Sequence, residues 1–114
     1  MNKEDYQVKL AEILGRCPYQ EVAKEKLEKT LAMVNESGIE MTLVQQLTLT
    51  SHLCAMVERS QDGGEIPEVV PEMFSEVSAL ALGLAQQVCD LLPNLAIGEK
   101  YLLSIHFESA RLNS

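Results

Sequence analysis

The stretch Thr42-Leu43-Val44-Gln45-Gln46-Leu47-Thr48-Leu49-Thr50-Ser51-His52-Leu53-Cys54-Ala55-Met56-Val57 decides the fold class. Its middle, Leu47-Thr48-Leu49-Thr50, alternates apolar and polar as a half-buried strand does. Two features outweigh that alternation. Thr42 and Gln45 stand at capping-box spacing, with a hydroxyl for one free N–H and an amide for another. The apolar pattern also runs on to Val57, too long for an ordinary strand. On a helical wheel Val44, Leu47, Leu49, Leu53, Met56 and Val57 cover most directions, which predicts a buried central helix over 42–60.

The remaining segments agree with a helical reading. Tyr6, Leu10, Ile13 and Leu14 mark one face of a helix over 2–14, with Asn2 as N-cap. Ala23, Leu27, Leu31 and Val34 mark another over 18–36, opened by Pro18 and stopped by Gly38. Ser60 to Val70, with Gly63, Gly64 and Pro67, reads as the longest loop. A fourth helix is expected over 71–92, with Met73, Val77, Leu80, Ala81, Leu84, Val88 and Leu91 inward. A fifth is expected over 97–112, with Tyr101, Leu102, Ile105 and Leu112 inward. Five helices and no strand predict an all-α, compact five-helix bundle, with residues 1–114 as a single domain.

Composition narrows function. The chain has 114 residues, 9 basic against 17 acidic, and a net charge of −8. From Met41 onward only Arg59, Lys100 and Arg111 are basic, against 9 acidic residues. Nucleic-acid binding needs clustered Lys and Arg, so direct binding is not expected. No apolar run is long enough for a membrane span, and the first residues do not read as a signal peptide. A cytoplasmic protein is the expectation. Cys17, Cys54 and Cys89 lie too far apart for a metal or redox motif; Cys54 and Cys89 read as core side chains. No cofactor or metal site is expected, and no phosphate loop, zinc helix or nucleophile elbow points to an enzyme.

The two histidines remain. Arg59 lies seven residues after His52, and Glu99 seven before His106. Seven residues is two turns, so each pair shares a helix face. Facing one another, the helices bring an Arg and a Glu to two imidazoles. Arg59 suits a phosphoryl group, and Glu99 can orient a ring by accepting its N–H. The plainer alternative is a pair of core histidines beside an ordinary ion pair.

These segments resemble the PTS-regulation domain, a helical module of the bacterial sugar phosphotransferase system. Ser51-His52-Leu53 with Glu58-Arg59 is similar to one family signature, and Glu99-Lys100-Tyr101-Leu102-Leu103-Ser104-Ile105-His106 to the other. Pro71-Glu72-Met73-Phe74 is similar to the start of the intervening helix. Ser51 stands where the family has an acid. The resemblance implies a homodimer, with His52 and His106 accepting phosphoryl groups from phosphocarrier proteins. It also implies control of transcription or antitermination, here through a partner regulator chain. Ser51, Arg59 and Glu99 are the expected supporting residues. With Glu99 on its own face, His106 is expected to be the better acceptor. The alternative is a phosphorylation-independent dimerisation or scaffold module.

Overall fold

The computed structural model describes residues 1–113. Five α-helices run in order, α1 Lys3–Gly15, α2 Gln20–Glu36, α3 Leu43–Asp62, α4 Ala79–Cys89 and α5 Glu99–Arg111. A short 3-10 turn, Pro71–Phe74, lies between α3 and α4, and no strand occurs among the described residues. The fold is an all-α bundle. Helices α1 and α2 pack on α3, α4 packs on α5, and α3 also meets α5.

Local chemistry fixes the start of α1 and the end of α2. The Asn2 side chain accepts from the Asp5 N–H at 2.8 Å, with Glu4 and Asp5 at the positive end of the α1 dipole. After α2, Gly38 takes φ 79°, a conformation glycine adopts without a side-chain clash. The turn lets the Ile39 N–H reach Val34 O at 3.2 Å while the Ile39 side chain enters the core.

The central helix forms as its capping box predicts. The Gln45 N–H donates to Thr42 Oγ1 at 3.1 Å, and the Thr42 N–H donates to Gln45 Oε1 at 3.0 Å. The strand-like alternation inside it is absorbed by the threonines. The Thr48 hydroxyl donates to Val44 O and the Thr50 hydroxyl to Gln46 O, so a helix interior accommodates both. Leu49, Leu53, Met56 and Val57 are wholly buried. Val44, expected inward, is exposed on a surface groove that it lines with Ile105 of α5.

Three expectations need correction. The fourth helix does not run from residue 71 to 92: Pro71–Phe74 is a separate 3-10 turn, and α4 begins at Ala79 and ends at Cys89. Ser78 sets the start, its hydroxyl accepting from the Ala81 N–H at 3.1 Å and donating to Glu108 at 2.7 Å. Met73 and Leu80 are therefore exposed, and Leu92 rather than Leu91 is fully buried. The α5 helix is also rotated from its expected phase. Its inward side is Glu99, Leu103, Ser104, Phe107 and Ala110, whereas Ile105 and Leu112 are exposed and Tyr101 and Leu102 half-buried. A stripe containing a carboxylate is invisible to apolar periodicity. Finally, Cys89 is only half-buried, while Cys17 and Cys54 are buried.

The segment between α3 and α4 lies over the start of α5. Any side chain at Gly98 would meet Val69 Cγ2 at 2.8 Å, and Phe74 packs on Tyr101 with ring centroids 5.5 Å apart. Among the described residues no helix is long and apolar enough to cross a membrane.

Thr42→Ala removes one capping hydrogen bond at an exposed position. It is expected to lower unfolding stability by about 1 kcal/mol, with Thr42→Ser close to wild type. Urea unfolding checks this; equal stability of all three proteins contradicts a cap-dependent α3.

Candidate functional site

Two contacts along the α3–α5 seam lie two helical turns apart. At one end the Arg59 guanidinium forks onto Glu99: Nε donates to Oε2 and Nη2 to Oε1, both at 2.7 Å. At the other end the rings of His52 and His106 lie 4.9 Å apart, centroid to centroid, tilted by 46°. Arg59 follows His52, and Glu99 precedes His106, so the helices run antiparallel along this seam. The geometry thus places both imidazoles together, on the same side of the bundle.

The ion pair is largely withdrawn from water. The Glu99 side chain is 2% exposed and that of Arg59 21%. A carboxylate so buried is tolerable only when paired and hydrogen-bonded, and the bidentate fork meets both demands. The Glu99 carboxylate in turn holds the Arg59 guanidinium above its ordinary pKa.

The two residues pair with each other and not with the imidazoles. Both Glu99 oxygens face the Arg59 guanidinium, and neither accepts from an imidazole. Glu99 therefore does not orient His106. The Arg59 fork is likewise committed to the carboxylate. What both residues supply is a fixed register between α3 and α5. Ser51 stands elsewhere: it is exposed and lines a separate cavity with Cys17, Pro18, Cys54 and Glu58. One position along a helix is a rotation of about 100°, which carries Ser51 away from the His52 face.

Both imidazoles are shifted toward the neutral form. Burial pushes His52 down to about 4, helped by His106 and Arg59 and opposed by Glu99. Burial alone lowers His106 from the ordinary 6.5. The thiols move the other way: burial and the neighbouring Cys17 raise Cys54 to about 12, and burial raises Cys89 to about 11. They are protonated and poor nucleophiles.

Access to the pair differs between its members. His52 Nε2 is shielded from solvent and has no hydrogen-bond partner. His106 lines a surface groove of about 270 Å³ with Val44, Gln45, Thr48, Ile105 and Ser109. The groove's polar wall is linked, because Gln45 Nε2 donates to Ser109 Oγ at 3.4 Å and to Asn113 Oδ1 at 3.1 Å. Sequence reading overlooked these groove residues, though a signal was present. Gln45 precedes His52 by seven residues, as His52 precedes Arg59, so all three share a face.

Because both imidazoles titrate below the ordinary value of 6.5, the unfolded chain takes up protons before the folded one. Their contribution to stability is complete above about pH 6.5 and declines as pH falls toward about 4. Imidazole NMR titration checks this. The account expects both rings neutral at pH 7, with a His52 midpoint near 4; a midpoint at or above the ordinary value contradicts it.

The chain is similar to a solved structure, the crystal structure of a PRD-containing transcription regulator from Lactobacillus casei ATCC 334. The two are 35% identical with a TM-score of 0.88, over 91% of this chain and 93% of that one. No protein-family model and no curated protein matches the chain.

Proposed function

The chain belongs to the family of PRD-containing proteins, and from that premise we propose that it is a phosphorylatable regulatory domain of the sugar phosphotransferase system. Residues 1–114 form one such domain. It receives phosphoryl groups from phosphocarrier proteins in the cytoplasm and controls transcription or antitermination through a partner chain. The regulator identity of the Lactobacillus casei protein supports the regulatory role.

The observation that carries the reading is the imidazole pair itself. A phosphoryl acceptor needs an unprotonated ring nitrogen, and burial keeps both rings neutral near pH 7. In transfer, the bond from phosphorus to the carrier's donor atom breaks as a bond from phosphorus to an imidazole nitrogen forms. His106 is the entry acceptor because its ring lines the open groove, whereas His52 Nε2 is closed off behind it. The preference for His106 thus rests on access, not on a carboxylate.

Phosphorylation adds roughly two negative charges and several acceptors at one point on the α3–α5 seam. Val44 and Ile105, both exposed, flank that point on the groove. A homodimer packing through this face acquires like charges where the apolar contacts lie, so phosphorylation shifts its association.

A second reading is a phosphorylation-independent dimerisation or scaffold module. The half-burial of both rings favours it, since such rings also serve as seam filling.

Incubation with phosphoenolpyruvate and purified carrier proteins, read by intact mass, separates the two. The proposal expects labelling of wild type and of His52→Ala, and its loss in His106→Ala. Labelling that survives in His106→Ala and vanishes in His52→Ala reverses the assignment. An unlabelled wild type with every carrier favours the scaffold.

A further inference from the structure

The groove beside His106 holds one hydroxyl whose proton is unspent. We propose that the Ser109 hydroxyl binds the phosphoryl group arriving at His106, donating a hydrogen bond to a phosphoryl oxygen while the Gln45 amide anchors the hydroxyl from the other side. The inference deepens the phosphorylation reading and rests on it for the identity of the ligand.

Position is the first argument. Ser109 follows His106 by three residues on α5, so the two side chains are neighbours on one helix face. Both line the groove of about 270 Å³, and no charged side chain lines it with them. Ser109 is exposed, so an arriving group reaches it without disturbing the core.

The proton is the second argument. A Ser or Thr hydroxyl has one proton to donate and two lone pairs to accept with. Thr48 and Thr50 on α3 spend their protons on Val44 O and Gln46 O, and Ser104 on α5 spends its own on Tyr101 O. Ser109 Oγ instead accepts from Gln45 Nε2 at 3.4 Å and donates to no acceptor among the described residues. The other polar side chains of the groove wall are committed. Thr48 offers lone pairs only, and the Gln45 amide nitrogen already donates to Ser109 Oγ and Asn113 Oδ1. The Ser109 proton is the one a phosphoryl oxygen can accept without breaking an existing hydrogen bond.

Charge is the third argument. The cations of α3 and α5 are engaged elsewhere: Arg59 on Glu99, Arg111 on Glu108, and Lys100 over the Tyr101 ring at 5.3 Å. A phosphoryl group on His106 is then held by a neutral donor, and a hydrogen bond to its charged oxygen is about twice as strong as one between neutral groups.

The test uses phosphoramidate, a small phosphoryl donor that needs no carrier protein. Its bond from phosphorus to ammonia breaks, and ammonia leaves with the electron pair. An imidazole nitrogen supplies the pair for the new bond to phosphorus. The full chain, Ser109→Ala, Ser109→Thr and His106→Ala are incubated at pH 7, and the gain of a phosphoryl group is followed by intact mass. Alanine is the best helix former and the position is exposed, so Ser109→Ala keeps the fold, which urea unfolding checks. Labelling is expected to slow about tenfold or more in Ser109→Ala, because a hydrogen bond to a charged group is lost. It is expected to recover in Ser109→Thr and to be absent in His106→Ala. Equal rates in wild type and Ser109→Ala overturn the proposal. So do a Ser109→Thr rate as low as that of Ser109→Ala, labelling retained in His106→Ala, or an unlabelled wild type. A wild type labelled by phosphoramidate and by no carrier refutes the carrier reading and leaves Ser109 to be judged by its variants. Labelling by a carrier with an unchanged rate in Ser109→Ala does the reverse.

Discussion

A glutamate side chain only 2% exposed is the constraint on which the rest depends. Glu99 opens α5 facing inward, where an unpaired charge is prohibitive. The one arrangement that relieves it is the two-pronged contact with Arg59 in the last turns of α3. Such pairs add little net stability relative to apolar packing, yet leaving one partner alone is strongly unfavourable. The consequence is positional. With Arg59 held against Glu99, the antiparallel seam has one register, and seven residues further, about 10 Å along each helix, the two imidazoles meet. Sliding either helix by a turn would separate the rings and strand a buried charge.

The same seam explains the chemistry of the pair. Rings placed side by side and half-covered by α3 and α5 lose their affinity for protons, His52 most, because it also feels His106 and Arg59. Of the two, His106 lines the open groove and His52 Nε2 is shielded behind it. Ser51 is outside this arrangement, and burial is the main cause that lowers both imidazoles.

Much of this architecture was legible in the residues. The Thr42–Gln45 box, the Asn2 cap and Gly38 each act within a few residues, and their geometry follows from local backbone chemistry. The seven-residue offsets also told which charged residue shares a face with which histidine. What one helix cannot reveal is its partner. Arg59 and Glu99 each read as a neighbour of its own histidine, but the strongest attraction was between the two charges, across helices. The phase of α5 was missed because its inward stripe includes Glu99 and Ser104. The start of α4 was missed because Ser78 is fixed by Glu108, a residue 30 positions away.

The most direct test of the account is a double-mutant cycle on the seam, with unfolding free energies of wild type, Arg59→Met, Glu99→Gln and the double variant. If the fork is what joins α3 to α5, Arg59→Met alone is costly, about 3–5 kcal/mol. The double variant then loses less than the two single losses combined, by a coupling of about 1–3 kcal/mol. Additive losses, with no coupling between positions 59 and 99, would contradict the account, because the two side chains would then act independently and the register of the imidazole pair would have another cause.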